Sequence, residues 1–150
     1  MGSPLAPLVS TMSVHTWNDA LRVGVAPMDR AHNALADLVD EIEMAVRRDR
    51  DPREIQDLLL RLVEETSDHF SEEQDLMLAT GFPGREAHVE DHDRLLGHVS
   101  ELLRSHSTGQ RLMTIDLAHS LRAWLVLHIQ GKDSVLAEFL SAPGGAAGRN

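Results

Sequence analysis

Apolar residues recur along this chain at alternating intervals of four and three, the period of one face of an α-helix. Met28, His32, Leu35, Val39, Ile42 and Val46 make the first such seam. A second runs Ile55, Leu59, Leu62, Thr66, His69, Glu73, Leu76, and a third His88, His92, Leu95, Val99, Leu102. The fourth carries Leu117, Leu121, Trp124 and His128, then Val135 and Phe139, and is predicted from about Gln110 to Leu140. Breakers separate the seams. Asp51-Pro52 offers a capping side chain and a first-turn proline, while Thr80-Gly81-Phe82-Pro83-Gly84 and Ser107-Thr108-Gly109 cannot continue a helix. Arg47, Arg48 and Arg50 suit the C-terminal end of the first helix, where the dipole favours cations. Four helices with short links predict an all-α fold, an antiparallel up-down-up-down four-helix bundle over residues 28–140. Residues 1–27, punctuated by proline and carrying Trp17, are expected to form an arm packed on the bundle, and 141–150 a flexible tail.

The seams are interrupted by polar side chains that do not belong in a plain core. His69 and Glu73 are four residues apart, as are His88 and His92, so each pair shares one helix face. His32 falls near the start of helix one, His69 and Glu73 near the end of helix two, His88 and His92 near the start of helix three. His128 and Asp133 fall near the end of helix four, and an antiparallel bundle brings all four of those ends together. A lone histidine, or a single HxxxH, is more often a packing residue than a ligand; the convergence of seven groups on one layer is what sets these apart. A buried carboxylate among imidazoles needs a compensating cation, and a metal supplies it while holding the imidazoles neutral. Seven ligands exceed the needs of one ion and suit two, with carboxylates bridging. Imidazole and carboxylate suit iron, with zinc and manganese also compatible. Asp133 is five residues beyond His128, off the face that an α-helix gives its neighbour. His15, His98, His106 and His119 lack such convergence and read as solvated or packing residues, and Met77 and Trp124 read as core.

Composition narrows the rest. The 150 residues are 42% hydrophobic, enough for one domain with a real core. A net charge of -10 argues against a nucleic-acid partner. There is no cysteine, hence no disulfide, thiolate site or cysteine nucleophile. No apolar run approaches a membrane span and the opening residues do not form a signal peptide, so no membrane association is expected and a cytoplasmic location is.

These motifs resemble the hemerythrins, in particular single-domain bacteriohemerythrins. His32, HxxxE at His69–Glu73, HxxxH at His88–His92 and HIxxxD from His128 to Asp133 occur in family order, and the likeness covers about Trp17 to Leu140. The flanking words fit as well: WNDALRVGVAPMD before His32, SEEQDLM after His69, AWLVL before His128. The resemblance implies two non-haem iron ions, cycling between Fe2+ and Fe3+ with an oxo or hydroxo bridge. His88, His92 and His128 would bind one, His32 and His69 the other, and Glu73 and Asp133 both. It also implies reversible dioxygen binding at the open iron, for oxygen carriage, storage, delivery or sensing, rather than an enzyme. By position, Met77, Trp124, Leu125 and Ile129 would form an apolar dioxygen pocket. An oxygen-using enzyme or a signalling partner is the implied macromolecular contact. Two departures stand out: Ala31 precedes His32 where the family often has glutamine, and tyrosine is absent. The competing class is a di-iron redox enzyme (an oxidase, peroxidase or ferroxidase) or an iron storage protein.

Overall fold

The computed structural model describes residue 19 and residues 21–142, and among these it contains helices and no strand. The expected arm therefore lies largely, and the expected tail almost wholly, outside the described residues. Helix α1 spans Ala26–Arg47, α2 Pro52–Thr80, α3 Arg85–Thr108 and α4 Ile115–His128. A π-helical segment, Ile129–Asp133, continues α4 into α5, Ser134–Ser141. Thus α4, the π segment and α5 together are the fourth rod of an all-α bundle.

Each link has a local cause. Asp49 takes a positive φ of 52° as α1 ends, and the Asp51 side chain then caps α2 by accepting from the Arg53 N–H at 2.9 Å. Pro52 occupies the first turn, where no N–H is needed. Gly81 closes α2 in the left-handed region (φ 66°), and Gly109 does the same for α3 (φ 76°). Helix α4 starts later than the predicted Gln110. Thr114 is its cap, with Oγ1 accepting from Leu117 N–H at 3.2 Å. At the other end of the molecule, Asp29 ties down the chain entering α1 by accepting from the N–H groups of Val23 (2.7 Å) and Gly24 (3.2 Å).

Packing divides the bundle along its length. Leu35, Leu38, Val39 and Ile42 of α1 meet Ile55, Leu59 and Leu62 of α2, Val99 and Leu102 of α3, and Leu121 of α4 in one apolar cluster. Beyond the polar layer a smaller cluster of Met28, Met77, Phe82, Leu136 and Leu140 closes the opposite end. His106, read from the sequence as a solvated or packing residue, is buried and pins the apolar end. Its Nδ1 accepts from Met113 N–H at 3.1 Å, so Nε2 carries the proton and donates to the Pro52 carbonyl at 2.8 Å.

The fourth seam needs a correction. Continuing the α-helical period past His128 puts Val135 and Phe139 inward; Phe139 does pack half-buried against the end cluster, but Val135 is 55% exposed and the fully buried residues are Leu136, Ala137 and Leu140. The π segment inserts one extra residue into the turn, and every inward position after it moves on by one.

Candidate metal centre

The same extra residue brings Asp133 into the site. In a π turn the backbone bond runs from i to i+5, so a residue five positions beyond His128 returns to nearly the same side of the helix. All seven predicted ligands meet in one buried layer, as two overlapping groups. Glu73, His88, His92, His128 and Asp133 form one, and His32, His69, Glu73 and Asp133 the other, with each group's ligand atoms within 4.8 Å of one another.

The carboxylates are shared between the groups oxygen by oxygen. Glu73 Oε1 lies 3.1 Å from both His88 Nε2 and His92 Nε2. Its Oε2 lies 2.8 Å from His69 Nε2 and 3.8 Å from His32 Nε2. Asp133 Oδ1 is 3.0 Å from His88 Nε2 and 3.2 Å from His128 Nε2, while Oδ2 is 2.9 Å from His32 Nε2. Each Glu73 oxygen thus faces two imidazoles, while Asp133 turns Oδ1 to two and Oδ2 to one; in both acids one oxygen is toward the His88, His92 and His128 group and the other toward the His32 and His69 group.

These residues fit a pair of metal ions. Nε2 of His32, His69, His88 and His128, Oε2 of Glu73 and both Asp133 oxygens are buried without a hydrogen-bond partner. They approach one another closely but are not aligned as donor and acceptor, as lone pairs aimed at a shared third point would be. Their separations also suit it: ligand atoms about 2.1 Å from a common ion sit about 3 Å apart in an octahedral shell. Bare, such a layer is costly.

The electrostatics of the cluster show the demand for positive charge. Burial opposes a charged His32, but the adjacent Asp133 and Glu73 carboxylates outweigh it and raise its pKa to about 9. His88 is raised to about 9 by the same balance, and His128 is also raised, by Asp133, Asp91 and Glu73 against the opposing effect of burial. His92 moves the other way, because burial outweighs its contact with Glu73. Burial opposes ionisation of Glu73 and Asp133, yet the surrounding imidazoles hold both well below the usual carboxylate range. Protons and metal ions compete for this site.

Around the ligands are residues that spacing had not singled out. Asp91, inside HVEDH, places Oδ2 2.5 Å from His128 Nδ1. The Gln74 carboxamide, next to Glu73, lies 3.2 Å from His92 Nδ1. Phe70 stacks on the His92 ring at 3.7 Å with 6° between planes, covering it from solvent. The available signal was adjacency: each is beside a ligand or within a ligand motif. Which ring it meets depends on packing between helices.

Of the four residues expected to form a dioxygen pocket, Leu125 packs against the cluster that holds Ile129 and also lines a cavity with Trp124, while Met77 lies in the end cluster. Trp124 and Leu125 line a narrow apolar cavity of about 20 Å³ beside His128, together with Leu35, Thr66, Phe70 and Leu121. Met77 is fully buried in the end cluster with Met28 and Phe82, and Ile129 is fully buried with Leu21 and Ala36.

Residues 23–140 match the family model described as the hemerythrin HHE cation binding domain. A bacteriohemerythrin from Methylococcus capsulatus is 30% identical over 135 residues, covering 87% of this chain and all of that protein. A myohemerythrin from Riftia pachyptila is 29% identical over 121 residues, covering 81% of this chain and 89% of that one. A crystal structure of wild-type hemerythrin superposes with a TM-score of 0.75 at 28% identity, covering 80% of this chain and 92% of that one. With a buried cluster that fits a metal site and a family match spanning most of its length, this chain belongs to the hemerythrin family.

Proposed function

We propose that this chain binds dioxygen reversibly at a non-haem di-iron centre held by His32, His69, Glu73, His88, His92, His128 and Asp133. The observation that carries the reading is the sharing of Glu73 and Asp133: each belongs to both ligand groups, with one oxygen toward the group of His88, His92 and His128 and the other toward that of His32 and His69. Hemerythrins are known for dioxygen binding at a di-iron site, and this ligand set has the composition for one. Two irons would supply the electrons that dioxygen takes on binding and returns on release.

The chain's own residues do the rest. Glu73 and Asp133 would hold both ions with shared negative charge, and the five imidazoles would supply the remaining protein donors while staying neutral. His88, His92 and His128 would hold one ion; His32 and His69, one imidazole fewer, would hold the other and leave room there for an external molecule. Reversibility requires that water and anions stay out, a task suited to the buried Phe70, Met77 and Ile129 and to the cavity lined by Trp124 and Leu125. Carriage, storage, delivery to an oxygen-using enzyme and sensing through a signalling partner are all uses of this one reaction.

Iron stoichiometry and the visible spectrum test the proposal, taken reduced without air, then in air, then deoxygenated. Two irons per chain and a colour that comes and goes with oxygen are expected. Irons that oxidise once and stay ferric would move the function to redox catalysis, and absence of iron would remove the reading.

A further inference from the structure

The outer contacts of the ligand imidazoles are unequal. Nδ1 of His32 and Nδ1 of His88 are buried without a partner, and Nδ1 of His92 faces the neutral Gln74 carboxamide. Nδ1 of His128 alone among these four meets a carboxylate, Asp91 Oδ2, at 2.5 Å. That carboxylate is itself held, because Arg94 Nη2 donates to Asp91 Oδ1 at 3.1 Å. Asp91 is on α3 and His128 closes α4, so the contact also fixes the ring where the helix changes to its π turn. Trp124, Leu127, Lys132 and Val135 flank the pair in an open groove, so this is a point where the ligand layer approaches the surface.

Resting on the di-iron reading, the geometry points to Asp91 as a positioning residue for the three-histidine side, one that orients His128 and biases the ion there toward its oxidised form. With Nε2 turned to the metal, Nδ1 carries the proton and donates it to Asp91. A carboxylate in that place locks the tautomer and pulls on the N–H, which makes Nε2 a stronger electron donor. A stronger donor stabilises the higher metal charge. The two irons are therefore inequivalent in electron richness as well as in ligand count.

The full-length protein with Asp91→Asn tests this, since asparagine retains an acceptor and loses the charge. Both proteins should load two irons. At a fixed applied potential the ferric-to-ferrous ratio of the variant should fall about tenfold, equivalent to 59 mV for one electron, and Asp91→Glu should restore most of it. A merely structural contact would not follow charge in this way. An unchanged ratio in Asp91→Asn, with two irons bound, overturns the proposal while leaving the di-iron reading intact. A second readout needs no variant: in zinc-loaded wild-type protein the His128 Nδ1–H proton should resonate far downfield and exchange slowly. An ordinary shift there overturns the contact, whereas zinc loading with no iron uptake would instead sink the di-iron reading.

Discussion

Two regions of this bundle, its apolar end and its ligand layer, are built on opposite principles. In the apolar end, Leu59, Ile42, Val39 and Leu121 interlock, and water leaves surfaces that gain by its going. A few residues further along the same helices, five imidazoles and two carboxylates are just as buried. There burial is unfavourable until something positive fills the layer. One end folds because of what it excludes, and the other is completed by what it admits. The seams are continuous across both, so a scaffold made rigid by leucines can hold a site whose own groups would rather be in water.

The largest break in that comparison comes from Glu73→Ala. It removes a carboxylate shared by both ligand groups, so stable loading of two irons should be lost, measured as metal per chain; normal iron content would refute the assignment. Leu59→Ala strikes the other end. It should cost about 2–5 kcal/mol, alike with and without metal, read from denaturant midpoints. Stripping the metal by chelation should destabilise the loaded protein by about 4 kcal/mol for ions present at a thousandfold their Kd. Faster amide exchange should then be concentrated at the ligand-bearing helix ends and be small around Leu59.

Acidity separates the ends more gently. His32 and His88 have folded pKa values of about 9, above their unfolded value of 6.5. Their contribution to the metal-free protein is therefore complete below pH 6.5 and is lost as pH rises through 9. Unfolding midpoints of the metal-free protein should fall across that window, while those of the loaded protein, whose imidazoles are already neutral, should stay nearly level. The smallest effect belongs to the cap of α4: Thr114→Ala should cost about 1 kcal/mol and leave metal content untouched.

Legibility followed the same division. Apolar spacing alone marks α1, α2 and α3, because a period maintained over several turns admits one helical reading. The ligands were legible because polar groups on those seams are conspicuous against leucine and valine. Asp133 was the exception. An insertion of one residue leaves no trace in a hydrophobic pattern this short, and its i to i+5 turn becomes visible only in the backbone. Val135 was placed inward for that same reason, and the fully buried residues proved to be Leu136 and Leu140, with Phe139 packed half-buried against their cluster.

By itself the sequence determined the helices, their antiparallel order and six of the seven residues that share a layer, since all three follow from local period and from which helix ends a bundle brings together; Asp133 joins them through the π turn. Tertiary structure alone decided which oxygen of Glu73 and Asp133 faces which imidazole, that Asp91 and not a neutral group meets His128, and that Phe70 covers His92. Those facts depend on rotations and offsets of one helix against another. Such offsets are set by the summed packing of many side chains and are written in no single stretch of the chain.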